Sequence, residues 1–147
     1  IKSSAASDVY KRQDNIAYLK ANYQQETATA YYTEVISQIK STEKYNSNLP
    51  VLFYGAAGSM DDSIPILWRF DDIQLQGYSN NMHDFISYYA GKEFLELHCG
   101  YTYQEPENRE AIIASENFQK MPCYPCDGSI KIIDGVVVVK WSNFEVR

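Results

Sequence analysis

The sequence has 147 residues, 45% apolar and 22% charged, which is enough to bury a hydrophobic core and argues against a disordered chain. Its net charge is −6 and its longest basic run is Lys11-Arg12, so a nucleic-acid-binding protein with a basic face is disfavoured. No window approaches the roughly 18 consecutive apolar residues of a membrane span.

The first thirteen residues lack the apolar periodicity that begins at Ile16. Residues 3–13 (SSAASDVYKRQ) resemble translated sequencing-adapter read-through at the ends of metagenomic reading frames. We therefore expect residues 1–13 to be a disordered, non-native leader, and we expect the natural chain to extend further upstream. An ordinary polar tail is the alternative, and it predicts the same disorder.

A long amphipathic helix is predicted from Asp14 to about Ser41. Apolar residues recur at the spacing of one helix face: Ala28, Tyr31, Tyr32, Val35, Ile36 and Ile39, with a weaker continuation at Ile16, Leu19 and Tyr23. Such a helix measures roughly 40 Å, which exceeds the width of a small domain. We expect its first half to overhang the core or to join a part of the protein outside this sequence.

Residues 49–58 (LPVLFYGAAG) form a short apolar run bounded by proline and glycine, which is typical of a strand covered on both faces. We therefore place Val51–Tyr54 at the centre of the sheet. The loop at residues 55–62 follows the carboxyl end of this strand, where ligands bind in open α/β sheets. A plain strand-exit loop is favoured, because its spacing matches neither a phosphate-binding nor a dinucleotide-binding motif.

One or two short strands are expected between Ile64 and Gln76, where apolar residues surround Pro65 and then alternate with glutamines. The adjacent acids Asp71 and Asp72 suggest a catalytic pair. Neighbouring side chains on a strand point to opposite faces, however, so we interpret them as solvated turn residues.

Three helices are predicted in the second half of the chain. The first is capped by Asn80 or Asn81 and stopped by Gly91, the second covers residues 92–99 with a strand as the alternative, and the third begins at Pro106. The expected inner face of the third helix consists of Ala111, Ile112, Ser115 and Phe118.

The C-terminal segment predicts a β-hairpin with strands at residues 129–133 and 136–141. Asp134-Gly135 between them supplies the two positive-φ positions that a type I′ turn requires. The four consecutive valines at 136–139 indicate burial on both faces of the second strand.

Three cysteines are candidates for chemistry: Cys99 and the C-x-x-C pair Cys123 and Cys126. A thioredoxin-type site needs its first cysteine at a helix N-terminus, whereas this motif follows a predicted helix and leads into a strand. A zinc site usually has four ligands, and His98 is the only nearby addition. Structural cysteines are favoured, with a disulfide, a metal site or a redox site as alternatives.

His83 and His98 are the only histidines, and neither lies near a serine or cysteine in a nucleophile motif. We interpret both as surface or packing residues. The sequence thus nominates no catalytic, cofactor-binding or metal-binding residue, and no cofactor.

Tyrosine, with 13 residues, is the compositional outlier. Because a tyrosine packs its ring and keeps its hydroxyl in contact with water, we expect a half-buried shell of tyrosines. A sugar-binding or protein-binding face is the alternative.

Several short segments resemble the C-terminal soluble region of polytopic bacterial glucosyltransferases of the O-antigen-modifying, Gtr-like family. They are residues 15–19 (NIAYL), 31–39 (YYTEVISQI), 50–55 (PVLFYG) and 121–131 (MPCYPCDGSIK), and the similarity covers about residues 14–147. Members of this family are multi-span membrane enzymes that take a sugar from a polyprenyl-phosphate carrier on the outer side of the membrane. Their catalytic acids lie in loops of the membrane part, so the resemblance implies no catalytic residue in this sequence.

The sequence as a whole predicts one α/β domain, residues 14–147, with a small mixed sheet, packed helices and a C-terminal hairpin; an α+β fold is the alternative. The resemblance implies a non-catalytic, extracytoplasmic accessory domain of a membrane glycosyltransferase, joined to the cell membrane through an upstream segment. The implied partners are that membrane part and a glycan acceptor or polyprenyl-linked sugar, and not a nucleic acid.

A stand-alone carbohydrate- or protein-binding module is the second hypothesis. A small enzyme that uses Cys123 and Cys126 or the loop at 55–62 is the third.

Overall fold

A three-stranded sheet lies at the centre of the computed structural model, which describes residues 2–55 and 88–143. The elements in chain order are α1 (Lys2–Ser41), β1 (Val51–Tyr54), α2 (Tyr88–Cys99), α3 (Arg109–Ala114), α4 (Glu116–Gln119), β2 (Ile130–Ile133) and β3 (Val136–Lys140). Because helices pack against a small mixed sheet, the predicted fold class is confirmed.

The central strand of the sheet is β3, which lies between β1 and β2. β1 runs parallel to β3 with Val51 opposite Val137, and β2 runs antiparallel to it with Ile133 opposite Val136. Within residues 2–55 and 88–143, β1 pairs with β3 alone, so β3 rather than the predicted Val51–Tyr54 is the central strand of the described sheet. An apolar run indicates that both faces of a strand are covered, and it carries no information on how many strands lie beside it.

Side chains of the sheet alternate between two apolar clusters, one on each face. The α1-face cluster joins buried residues of α1 and α2 to Val51, Phe53, Val137, Val139 and Trp141. The opposite cluster joins Ile112 of α3 and Phe118 of α4 to Leu52, Ile133, Val136 and Val138. Every residue of β3 is buried, so the prediction for the valine run is confirmed.

The helix α1 begins at Lys2, well before the predicted start at Asp14, and residues 2–13 are helical where disorder was expected. This stretch contains no proline or glycine, and a nucleated helix propagates through such residues at little cost. The end at Ser41 agrees with the prediction. The predicted apolar stripe is buried at Ala28, Tyr32, Val35, Ile36 and Ile39, with Tyr31 half-buried.

The first part of α1 carries exposed apolar side chains. Tyr18 is 73% exposed and Leu19 is 50% exposed, whereas Ala28 is fully buried. With 40 residues at about 1.5 Å each, the helix is about 60 Å long. The observed exposure agrees with the predicted overhang.

The hairpin of β2 and β3 forms as the sequence predicts. Asp134 and Gly135 adopt φ angles of 49° and 77°, the two positive values that the turn requires. The pairing of Ile133 with Val136 closes the hairpin directly at these two residues.

The helix α2 continues through Gly91, so the predicted stop at this residue is wrong and the predicted helix at 92–99 is part of a longer one. A glycine inside a helix costs only about 1 kcal/mol relative to alanine. Phe94 and Leu95, which follow it, are buried in the α1-face cluster, and their packing outweighs that cost.

The single helix predicted from Pro106 is instead two short helices, α3 and α4, separated by Ser115. Ser115 has an extended backbone, with φ −68° and ψ 146°, and its hydroxyl accepts a hydrogen bond from the Phe118 N–H at 3.2 Å. Serine favours such an N-cap, which explains the break. Of the predicted inner face, Ile112 and Phe118 are buried, Ser115 is half-buried and Ala111 is exposed.

Five predictions lie outside the described residues. They concern the loop beyond Gly55, the strands between Ile64 and Gln76, the acids Asp71 and Asp72, the helix cap at Asn80 or Asn81, and His83.

Candidate functional site

A groove of about 490 Å³ lies beside the N-terminal end of β1. It is formed by the segment that leads into β1 and by the segment that follows α2. Its described lining consists of Ser47, Asn48, Leu49, Thr102, Tyr103 and Gln104. We call this feature the polar groove.

Backbone hydrogen bonds fix the two walls of the polar groove. The Val51 N–H donates to the carbonyl of Gln104 at 2.8 Å and thereby ties the two segments together. The Leu49 N–H donates to the carbonyl of Asn46 at 3.0 Å, and the Asn48 N–H donates to the side-chain oxygen of Asn46 at 2.9 Å. Asparagine commonly folds a loop in this way. The shape of the groove therefore depends mainly on the backbone.

The described lining of the polar groove carries no charged side chain. Asn48 and Gln104 each present an amide that can both donate and accept, and Ser47 and Thr102 each present a hydroxyl. All four residues are exposed. This lining suits a neutral ligand with several hydroxyl groups.

Tyr103 forms the aromatic part of the lining. Its ring meets Phe53 of β1 edge to face, with ring centroids 5.1 Å apart, and lies stacked with Tyr101 at 6.2 Å. The Nζ atom of Lys92 in α2 lies 5.4 Å from the centroid of the same ring and 3.9 Å from Oε1 of Glu105. Contacts from the sheet, α2 and the neighbouring loop thus hold the ring in place.

Three tyrosines in or against the α1-face cluster, Tyr31, Tyr32 and Tyr101, are weaker acids than an ordinary tyrosine because their pKa values are raised. Burial raises the pKa of Tyr32 above its usual value, and burial followed by a hydrogen bond with Tyr45 raises the pKa of Tyr101. Burial also raises the pKa of Tyr31, and the neighbouring Tyr124 and Tyr32 raise it further. Their rings lie in or against the α1-face cluster, so these tyrosines serve in packing.

Three buried polar atoms in this aromatic cluster have no hydrogen-bond partner: the hydroxyl oxygens of Tyr31 and Tyr32 and the indole nitrogen of Trp141. The rings themselves make edge contacts, with the centroid of Tyr32 5.6 Å from that of Tyr31 and 6.3 Å from that of Trp141. Ring packing therefore outweighs the cost of leaving these polar atoms unpaired.

The C-x-x-C pair lies in a tight turn between α4 and β2, which we call the cysteine turn (residues 123–126). The Cys126 N–H donates to the carbonyl of Cys123 at 3.1 Å. Both thiols are free; Cys126 is exposed and Cys123 is half-buried. Cys99 is a free, half-buried thiol of α2 in contact with the α1-face cluster, and burial raises its pKa.

Within residues 2–55 and 88–143, no group of three or more His, Cys, Asp or Glu side chains is arranged to hold a metal ion. His98 instead contacts α1 and its own helix. Its Nδ1 atom lies 3.0 Å from Nε2 of Gln25, and its ring centroid lies 4.6 Å from that of Phe94. His98 is thus an exposed residue that links α2 to α1.

Sequence reasoning missed Lys140, which is 2% exposed at the end of β3. Its Nζ donates to the carbonyls of Met121 at 3.0 Å and Phe118 at 3.3 Å, and lies 4.9 Å from the centroid of the Phe118 ring. A lysine that donates to the last carbonyls of a helix stabilises its C-terminus, here that of α4. The alternation along β3 could have identified it, because Lys140 shares the buried face of Val138.

Of the candidate loop at 55–62, the structure describes Gly55. Its φ is +89°, and a Cβ atom at this position would collide with Oγ of Ser142 and lie 2.6 Å from the backbone nitrogen of Ser142. A glycine is therefore required here by the close approach of two backbone segments, whether or not a ligand binds.

In the described parts of the chain, no helix combines the length and the apolar composition needed to cross a membrane. Comparisons with known proteins give no relative: no family model, no curated protein and no solved structure matches the chain. The polar groove and the cysteine turn must therefore be interpreted from their own geometry.

Proposed function

We propose that this chain is a non-catalytic accessory domain that recognises a neutral glycan through the polar groove. The observation that carries the proposal is the lining, which combines uncharged amides and hydroxyls with the ring of Tyr103. Glycans present many hydroxyl groups, which pair with side-chain amides, and apolar C–H faces, which rest against aromatic rings. The fixed backbone of the groove reduces the ordering that binding would require.

A more specific version of the proposal follows from the resemblance to Gtr-like glucosyltransferases. In this version, the domain lies on the extracytoplasmic side of the cell membrane and is joined through α1 to the membrane part of the enzyme. The polar groove would then bind the cell-surface acceptor glycan or the polyprenyl-linked sugar. The exposure of Tyr18 and Leu19 on the first part of α1 supports a further contact there.

Binding of the full chain to neutral glycans tests the proposed function. We expect hits on a glycan array, followed by a measurable Kd in calorimetry. Replacement of Asn48→Ala or Gln104→Ala should weaken binding about fivefold each, because a hydrogen bond contributes about 1 kcal/mol. Neither change disturbs the fold, since the hydrogen bonds that shape the groove use the backbone groups of these residues and the side chain of Asn46.

Asn117→Ala is the matched control, because Asn117 is an exposed amide on α4, on the opposite side of the sheet. This variant should bind as tightly as the parent chain. The absence of any glycan ligand, or equal affinities for Asn48→Ala, Gln104→Ala and the parent chain, would contradict glycan recognition by the polar groove.

Long-read sequencing of the source DNA upstream of the Asp14 codon tests the membrane-enzyme version separately. A continuous reading frame with several apolar spans of about 20 residues is the expected result. A start codon close to Asp14 would contradict this version and leave a stand-alone binding module.

A further inference from the structure

The cysteine turn brings two thiols to the two ends of one closed β-turn. The hydrogen bond from the Cys126 N–H to the Cys123 carbonyl, at 3.1 Å, is the bond that closes such a turn. The first and last Cα atoms of a β-turn lie within about 7 Å of each other. A disulfide spans Cα atoms about 4.4–6.8 Å apart. The backbone therefore holds the two cysteines near the separation that a disulfide bridges.

Hydrogen bonds on both sides anchor the cysteine turn. The Tyr124 N–H donates to the carbonyl of Lys140 in β3 at 2.7 Å, and the Ser129 N–H donates to the carbonyl of Cys126 at 3.1 Å. The Tyr124 ring is 4% exposed and meets Tyr31 of α1 edge to face, with centroids 5.7 Å apart. The turn is thus fixed to both the sheet and α1, which holds its two ends close together.

The three cysteines differ in their access to an external reagent. Cys126 is exposed and Cys123 is half-buried, whereas Cys99 packs against the α1-face cluster. Burial raises the pKa of Cys99, which lowers the fraction of reactive thiolate. An external disulfide therefore meets Cys126 first.

We propose that Cys123 and Cys126 are a thiol–disulfide exchange site, which closes to an intramolecular disulfide by reaction with a small-molecule disulfide such as oxidised glutathione. This inference is independent of the polar groove and of glycan binding. It assigns a chemical role to the C-x-x-C motif that needs neither a helix N-terminus nor a metal.

The exchange proceeds in two balanced steps. The Cys126 thiolate attacks one sulfur of the external disulfide, whose S–S bond breaks, so that a mixed disulfide forms on Cys126 and one thiolate leaves. The Cys123 thiolate then attacks the Cys126 sulfur, forms the Cys123–Cys126 bond and displaces the second thiolate. The two leaving thiolates take up the protons that the cysteines lose. Two protein thiols are thus oxidised by two electrons, and one external disulfide is reduced to two thiols.

Alkylation of the full chain in glutathione redox buffers, followed by mass spectrometry and peptide mapping, tests the proposal. As the share of oxidised glutathione rises, Cys123 and Cys126 should become protected together and appear as one internally linked peptide. Cys99 should remain alkylatable under denaturing conditions. Reduced glutathione should restore both thiols. If Cys126 retains bound glutathione, or if both thiols stay alkylatable at every ratio, the proposal is wrong.

Single substitutions separate the two steps. Cys123→Ser should trap the mixed disulfide on Cys126, whereas Cys126→Ser should react more slowly because Cys123 is half-buried. Cys99→Ala is the control and should form the internal disulfide at the same redox ratio as the parent chain. A Cys123→Ser variant that accumulates no more mixed disulfide than the parent would refute the role of Cys123. The parent-chain measurement decides the proposal even if a variant fails to fold.

Discussion

At the scale of single residues, Gly55 and Lys140 show how the ends of the parallel strands are held. Gly55 leaves β1 with a positive φ and passes so close to Ser142 that a side chain has no room. Lys140 ends β3 and donates to two carbonyls near the end of α4. Gly55 has no side chain, which lets the end of β1 lie against Ser142. Lys140 joins the end of β3 to α4 through its buried ammonium group.

Gly55→Ala should lower the free energy of unfolding by about 3 kcal/mol. Two costs combine, because a left-handed backbone costs an L-residue about 1–2 kcal/mol and overpacking costs about 1–3 kcal/mol. Urea unfolding monitored by circular dichroism measures the difference.

The matched control for this prediction is Gly100→Ala. Gly100 also has a positive φ, +60°, but a Cβ atom there would meet nothing within 4 Å. It should therefore lose only the backbone part, about 1 kcal/mol. Equal losses at the two positions would show that the approach of Ser142 carries no cost.

At the scale of elements, local capping competes with helix continuation in the segment after Pro106. The spacing of Ala111, Ile112, Ser115 and Phe118 fits one face of a continuous helix, yet Ser115 ends α3 and begins α4. Its hydroxyl donates to the carbonyl of Ile112 at 2.7 Å and accepts from the N–H of Phe118 at 3.2 Å. The Ser115 side chain thus serves both helix ends. The break between the helices lets Ile112 and Phe118 both pack in the opposite cluster.

Ser115→Ala should destabilise the protein by about 1 kcal/mol, the typical contribution of an N-cap side chain. Ser115→Thr keeps the hydroxyl and should retain most of the stability of the parent chain. Thermal or urea unfolding of the three chains measures the effect. If the alanine variant is as stable as the parent, the cap contributes nothing and the break has another cause.

At the scale of the whole molecule, buried tyrosines make stability depend on alkaline pH. The pKa values of Tyr31, Tyr32 and Tyr101 are raised above the ordinary value of 10.0 by burial. Below pH 10, these tyrosines hold their protons in both the folded and the unfolded state. Above it, the unfolded chain loses protons that the folded chain keeps, so the free energy of unfolding falls as pH rises.

Tyr32→Phe should make the free energy of unfolding fall less steeply with rising pH. Above the ordinary tyrosine pKa, the slope should be smaller than that of the parent chain by about 1.4 kcal/mol per pH unit. Urea unfolding at a series of pH values between about 9 and 11 measures the slope. Tyr18→Phe is the control, because Tyr18 is 73% exposed, and it should leave the slope unchanged. If the slope of Tyr32→Phe equals that of the parent chain, burial of Tyr32 does not contribute to the alkaline loss of stability.

The sequence alone revealed the features that depend on nearby residues. The 3.6-residue spacing identified the buried stripe of α1, Asp134-Gly135 identified the hairpin turn, and the valine run identified a strand covered on both faces. The C-x-x-C motif was also visible, although its closed turn was not. Such patterns are readable because backbone geometry and side-chain direction are set within a few residues.

The tertiary structure decided what depends on distant segments. Among the described strands it placed β3 rather than β1 at the centre, and it carried α2 through Gly91 and buried Lys140 against α4. The polar groove exists because the Val51 N–H donates a hydrogen bond to the carbonyl of Gln104. No local sequence pattern in either segment specifies that pairing. The strand order and the walls of the groove depend on which surfaces pack together, and that packing depends on the whole chain. Apolar periodicity and turn chemistry depend only on residues close together in the sequence.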